Sequence, residues 1–296
     1  MAEKRKRPIF DVHLVGIGDA TDLCDGAFYI KPDTAINKIK KTDLVIIPAL
    51  NGNVTEVLKK NTAFIPWITE QYKSGAEVAS LCTGAFLLAA TGLVDGKRCA
   101  THWFAADAFR KAYPKVKLVD EKIIVDEDGV YSSGGAYSFL NLILYLVEKF
   151  AGREMAISVS KMFEIEFSRE CQSFFAIFDG QKDHEDKAIK LVQQFIEHNF
   201  RERMSVEQLA KMFALSRRNL ERRFKRATSN TIVEYTHRVK VEAAKKSLET
   251  GREQVNEIMY KVGYNDSKTF RDVFKKYTGF SPIEYKNKFC RPSAFA

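Results

Sequence analysis

The run QVNEIMYKVGYNDSKTFRDVFKKYTGFSPIEY at residues 254–285 reads as a short helix, a turn containing Gly263, a second helix and a Ser281-Pro282 helix start. Apolar residues three and four apart give the helical period. Proline suits a first turn because that turn leaves its N–H groups unbonded in any case. The outer face of the second helix is basic. This is the outline of a helix-turn-helix.

Some fifty residues upstream the pattern recurs. Val206, Leu209 and Phe213 correspond to Val255, Ile258 and Val262 at an offset of 49. Leu220, Phe224, Lys225, Thr228, Glu234 and Tyr235 correspond to Phe270, Phe274, Lys275, Thr278, Glu284 and Tyr285 at an offset of 50. One residue inserted in the turn accounts for the change, and a period of this length marks a supersecondary unit used twice. Ser205 with Gln208 forms a capping box for the first copy, and Ser216 caps its second helix. Asn265 is expected near the start of the matching helix. A helix from Ile232 to about Glu249, stopped at Gly251, joins the copies as a rigid spacer.

With Leu220 and Phe224 inward, Arg218, Arg222 and Lys225 turn outward, flanked by Glu221. With Phe270 and Phe274 inward, Lys268, Asp272 and Lys275 turn outward, flanked by Arg271. Arginine makes bidentate contacts to guanine in the major groove, and lysine neutralises phosphate. The alternative is a solvated basic face, and the charge distribution weighs against it. Residues 1–182 hold 23 Lys+Arg against 23 Asp+Glu, whereas residues 183–296 hold 24 against 15, so the whole net charge of +9 lies in the C-terminal part. A basic module attached to a neutral one points to a polyanion, here double-stranded DNA.

The first half reads differently. Asp43–Pro48 and Ala76–Leu81 are short apolar runs suited to buried parallel strands, and Phe10–Val15 alternates like a strand. Helical stretches at 54–60, 61–73, 86–91, 104–112 and 137–150 alternate with short strands near 99–101, 123–125 and 130–132. The order implies an α/β layer fold with a mainly parallel sheet. Cys82 falls at a tight strand-to-helix turn, where backbone N–H groups and the helix dipole are expected to stabilise a thiolate. Domains are expected over 1–168 and 187–296, with a linker over 169–186.

The five cysteines, Cys24, Cys82, Cys99, Cys171 and Cys290, include no CxxC pair. Neither a zinc site nor a disulfide framework is indicated, and a reducing cytoplasm fits. No metal and no cofactor is expected. No apolar run approaches the roughly 18 residues of a membrane span, and no signal-peptide core is visible. The basic run at residues 3–7 reads as a solvated terminus.

The stretch SLCTGAFLLAATGLVDGKRCATHW, Ser80 to Trp103, resembles the elbow of the ThiJ/PfpI branch of the class I glutamine amidotransferase-like superfamily, in the form found in GlxA-type regulators. Residues 190–290 resemble the AraC/XylS DNA-binding domain through Gly263-Tyr264, Ser267, Phe270, Phe274-Lys275, Gly279-Phe280-Ser281-Pro282 and Tyr285. The first resemblance implies a flavodoxin-like domain of about residues 10–165, with Cys82 at the elbow and His102 after the next strand. The first strand–helix unit, with the acid that catalytic members place beside the cysteine, is expected to be absent or shortened. Cys82 and His102 are therefore expected to be vestigial or to line a ligand pocket.

The second resemblance implies an all-α domain of two helix-turn-helix units. It places Arg218, Glu221 and Arg222 as base readers in one unit and Lys268, Thr269 and Asp272 in the other, with Lys225, Arg271 and Lys275 alongside. Together the resemblances imply a transcription regulator, not an enzyme, with a nitrogenous small-molecule effector, a homodimer and contact with RNA polymerase. A Cys82-dependent amidase or hydrolase and a thiol redox sensor are the rival readings.

Overall fold

Short apolar runs become strands in the N-terminal half, and polar caps open the helices of the C-terminal half. The computed structural model describes residues 8–18, 21–23, 28–166, 178, 180–182, 184–202 and 204–290. The chain divides into two compact units, Met1–Gln172 and Ser173–Ala296. That division falls within the expected linker, most of which lies outside the described residues, as do the basic run 3–7, Cys24 and Cys171.

In chain order the first unit contains β1 (Val15–Gly16), β2 (Thr21–Leu23), β3 (Phe28–Ile30), β4 (Thr34–Ala35), β5 (Leu44–Ile47), α1 (Val54–Lys60), α2 (Phe64–Lys73) and β6 (Glu77–Ser80). It continues with α3 (Ala85–Ala90), β7 (Arg98–Cys99), α4 (Ala106–Ala112), β8 (Lys117–Leu118), β9 (Ile124–Glu127), β10 (Val130–Ser133), α5 (Ser138–Ala151) and α6 (Arg153–Phe163). The main sheet has the order β5-β6-β10-β9, parallel except for β9. Side chains alternate across it. Val45, Ile47, Val78 and Val130 join a core with Ile68 of α2 and Phe86 and Leu88 of α3. On the opposite face Ala79 and Tyr131 pack with Leu142 and Leu146 of α5. In β5 Val45 and Ile47 are buried while Ile46 stays exposed, so its unbroken apolar run is buried on one face only.

Phe10–Val15 departs from expectation. Only Val15 and Gly16 pair, and they pair with β4 rather than with the main sheet. Phe10, Val12 and Leu14 stay exposed. An alternating pattern makes a long strand only where a neighbour takes its backbone bonds and a core takes one face, and Phe10, Val12 and Leu14 find no core. Among the described residues no strand pairs with the outer edge of β5.

The second unit consists of α7 (Lys187–Asn199), α8 (Val206–Met212), α9 (Arg217–Thr228), α10 (Ile232–Thr250), α11 (Val255–Lys261), α12 (Ser267–Thr278) and α13 (Pro282–Phe289). Side-chain caps are local and specific: Ser205 with Gln208, Thr231 with Glu234 and Ser281 with Glu284 each close a capping box. The cap of α12 is Asp266, and Asn265 lies beside it near the helix start, as expected. Asn265 is the extra residue of the second turn.

The repetition extends to individual bonds. The Phe224 and Tyr235 rings meet edge to face at 5.3 Å, and those of Phe274 and Tyr285 at 5.4 Å. Tyr235 Oη donates to Glu197 at 2.6 Å, and Tyr285 Oη to Glu249 at 2.7 Å. Those glutamates lie on α7 and α10, and the buried residues behind them match as well. Ile189, Val192 and Ile196 of α7 correspond to Val241, Ala244 and Leu248 of α10 at an offset of 52. So α10 serves twice: its first half closes one unit, as α13 closes the other, and its second half opens the next, as α7 opens the first. Asp186, the cap of α7, also accepts from Arg223 of α9 at 2.9 Å (Nε) and 2.5 Å (Nη2), and this guanidinium holds its carboxyl below the usual range.

Candidate nucleic-acid interface and elbow pocket

Burying Leu220 and Phe224 leaves Arg218, Glu221, Arg222 and Lys225 of α9 exposed, as the periodicity requires. The residues on this face are not equivalent. Arg218 makes no ion pair or hydrogen bond with any described side chain, so its full fork is available. Arg222 donates to Asn219 Oδ1 at 3.1 Å. Glu221 accepts from Arg217 at 3.1 Å, and Arg217 is also bonded to Glu207. Glu221 thus enters any contact already oriented by a cation. Arg226, missed by the sequence reading, lines the same groove as Arg218, Arg222 and Lys225, opposite Val233. It stands one turn beyond Arg222, so the helical period itself places it on the outward face.

On α12, Lys268, Thr269, Arg271, Asp272 and Lys275 are all exposed around buried Phe270 and Phe274. Thr269 donates its hydroxyl proton to Asp266 at 2.6 Å while its N–H bonds the same oxygen at 2.7 Å. These two bonds hold the Asp266 carboxyl below the usual range. Thr269 therefore offers a methyl group and lone pairs, not a proton. Asp272 lies 3.8 Å from Arg271 Nε, so part of the positive charge on this face is offset.

The elbow lies in the other unit. Cys82 sits between β6 and α3 with φ of 55°, a left-handed conformation that costs an L-residue about 1–2 kcal/mol. Thr101 Oγ1 donates to its carbonyl at 3.1 Å, and its N–H reaches Ser133 Oγ at 3.4 Å. Two residues on, Gly84 lies so close to the end of β5 that a Cβ would stand 2.5 Å from Pro48 O and 2.8 Å from Ile47 O. Thr83 Oγ1 completes the attachment, donating to Leu50 O at 2.8 Å and accepting from Leu50 N at 2.9 Å.

Cys82 and His102 line one cavity of ≈ 510 Å³, with Asn51, Thr83, Phe104 and Phe139. No Asp or Glu is among the described residues that line it. The expectation of a stabilised thiolate is reversed: burial pushes the Cys82 thiol up, outweighing the bonds from Thr83 that would lower it. The 3-10 turn Cys82–Gly84 and the six-residue α3 that follow make only a short helical run, too weak a dipole to offset that burial. His102 Nδ1 accepts from Phe104 N–H at 3.1 Å, and burial lowers its basicity. A neutral ring bonded in this way carries its proton on Nε2 and presents a donor. A protonated thiol beside a neutral imidazole with its basic nitrogen engaged is not the thiolate–imidazolium pair of a cysteine nucleophile. Iodoacetamide should therefore modify Cys82 of the folded protein far more slowly at neutral pH than a free thiol. Its rate should climb only above the ordinary thiol value of about 8.5. Peptide-level mass spectrometry over a pH series checks this, and free-thiol reactivity at pH 7 would overturn it.

Comparisons with known proteins divide along the same boundary. The profile of the DJ-1/PfpI family matches residues 5–149, and that of a helix-turn-helix domain matches residues 209–288. The HTH-type transcriptional regulator GbdR of Pseudomonas aeruginosa is 24% identical over 277 residues, 93% of this chain and 74% of that protein. An HTH-type transcriptional regulator encoded in the cgkA 5′ region of Pseudoalteromonas carrageenovora is 31% identical over 141 residues, 45% of this chain and 84% of that protein. Isonitrile hydratase of Pseudomonas putida is 27% identical over 158 residues, only 53% of this chain and 67% of that enzyme. No described helix is long and apolar enough to cross a membrane.

Proposed function

Because this chain belongs to the transcription regulators that join a DJ-1/PfpI domain to an AraC-type helix-turn-helix domain, we propose that α9 and α12 read two neighbouring segments of the major groove of one operator. The observation that carries the reading is the bond-for-bond repetition of the two units, each turning a charged face outward from its buried aromatic pair. In this proposal Arg218, Glu221 and Arg222 read bases from α9, and Lys268, Thr269 and Asp272 from α12. Lys225, Arg271 and Lys275 lie against phosphates. Duplexes recovered by the protein from a random pool should carry two recognised blocks centred about one helical turn, 10–10.5 base pairs, apart. Recovery of a single block would count against a reader in each unit.

The elbow cavity then receives a small metabolite whose binding alters how a homodimer occupies paired sites. Its volume suits a small ligand, and its neutral thiol and imidazole favour binding over turnover. Contact with RNA polymerase from the DNA-bound protein and a cytoplasmic setting complete the proposal. Trp103 stands 5.4 Å from the His102 ring and so reports on the cavity. A ligand from a metabolite panel that shifts DNA affinity should also shift tryptophan emission, and Trp103→Phe should abolish that optical signal. An effector whose action survives filling the cavity with Ala136→Trp acts elsewhere.

A further inference from the structure

The two helix-turn-helix units have separate cores, one around Phe224 and Tyr235 and the other around Phe274 and Tyr285. Cores of that kind hold each unit rigid but leave their mutual setting to the shared helix α10 and to the side chains on it that touch both units. Arg238, near the middle of the shared helix α10, spans them. Its guanidinium carbon lies 5.6 Å from the centre of the Phe178 ring and 5.0 Å from that of Tyr277. Phe178 belongs to the first unit: its ring meets Tyr235 at 5.1 Å, and its N–H donates to Glu242 at 3.2 Å. Tyr277 lies on α12 and packs against the second core.

What holds the guanidinium is unusual. Arg238 Nε is buried and has no hydrogen-bond partner among the described residues, and neither has the Tyr277 hydroxyl. The contact therefore works through ring faces. A planar cation held against two aromatic faces resists tilting of either ring, because attraction falls as the cation leaves the π face. We propose that Arg238, clamped between Phe178 and Tyr277, is a positioning residue that sets α12 against α9 and so fixes the spacing of the two DNA blocks the protein accepts. This rests on the reading of α9 and α12 as the two readers.

One inserted base pair moves the second block by about 3.4 Å and about a tenth of a turn, a displacement that a rigid joint cannot follow. The test uses the full chain and a duplex it recovers from a random pool, alone and with one base pair inserted between the blocks. Affinities are measured by fluorescence anisotropy at one salt concentration. The wild-type protein should lose about tenfold or more on insertion, whereas Arg238→Ala should lose no more than about threefold. Tyr277→Leu, which keeps apolar packing but removes a ring face, should behave likewise if Arg238→Ala does not fold. An insertion penalty in both folded variants equal to that of the wild type overturns the clamp, as does a wild-type protein indifferent to insertion. Loss of the clamp is distinct from loss of the reading: if Arg218→Ala and Arg222→Ala both leave binding to the uninserted duplex unchanged, α9 is not a reader.

Discussion

Replacing Gly263 by alanine is expected to destabilise the C-terminal unit by more than about 3 kcal/mol, a large share of the roughly 5–15 kcal/mol that holds a domain folded. Two costs add. The residue has φ of 81°, where an L-side chain is strained. The added Cβ would also fall 3.0 Å from the carbonyl carbon of Arg201 and closer still to its oxygen. Lys240 Nζ, 2.9 Å away, can swing aside; the backbone between α7 and α8 cannot. The first unit provides the control. Ala214 holds the matching place at φ of 52°, and the turn bonds are the same, with Leu215 N–H to Ala210 O at 2.9 Å and Tyr264 N–H to Met259 O at 3.0 Å. Ala214→Gly should relieve backbone strain and stabilise by up to about 1 kcal/mol, less the entropy that glycine adds to the unfolded chain. Urea denaturation of both variants, followed by circular dichroism, checks the contrast. A Gly263→Ala protein with a wild-type midpoint would mean that the turn is not wedged against Arg201.

Arg218→Ala and Arg222→Ala should each weaken binding to a selected duplex by about 1–3 kcal/mol, and the pair by up to about 6. Arg218 should have the larger effect. Its fork is uncommitted, while Arg222 must give up its bond to Asn219 before it meets a base. Binding to an unrelated duplex separates the roles. A base reader loses affinity only for the selected sequence, whereas a phosphate contact weakens both and flattens the salt dependence by about one counterion. Lys225→Ala should behave in the second way. Equal losses on both duplexes for Arg218→Ala would move that residue from base reading to the backbone.

Much of this was legible in the residues because the determinants were local. A serine or threonine three positions before Gln208, Glu234 or Glu284 announces a helix start, and Leu220 with Phe224 or Phe270 with Phe274 fixes which side faces out. The elbow was legible as a strand end running into Cys82-Thr83-Gly84. What stayed hidden depended on non-local burial. The match of α7 to α10 is not visible in the residues because it preserves depth rather than identity: Gln193 is buried where α10 carries the buried Lys245. The protonation of Cys82 turns on how deeply the neighbouring chain covers it, and the exposure of Phe10–Leu14 on the strands available to pair with. Arg238 offered no signal, since its partners lie 60 and 39 positions away.

The double duty of α10 makes its length a phase setting. A loop between two readers would absorb an added or lost residue. A continuous helix of 19 residues passes every such change on as rotation. Removing a single residue from its middle would turn everything beyond by about 100° and draw it in by about 1.5 Å. On the proposed reading, that would carry α12 around to a side where it no longer faces the same edge of the duplex as α9. Base substitutions in an operator would test the readers one at a time; a one-residue deletion in α10 would disable both together while leaving each unit folded.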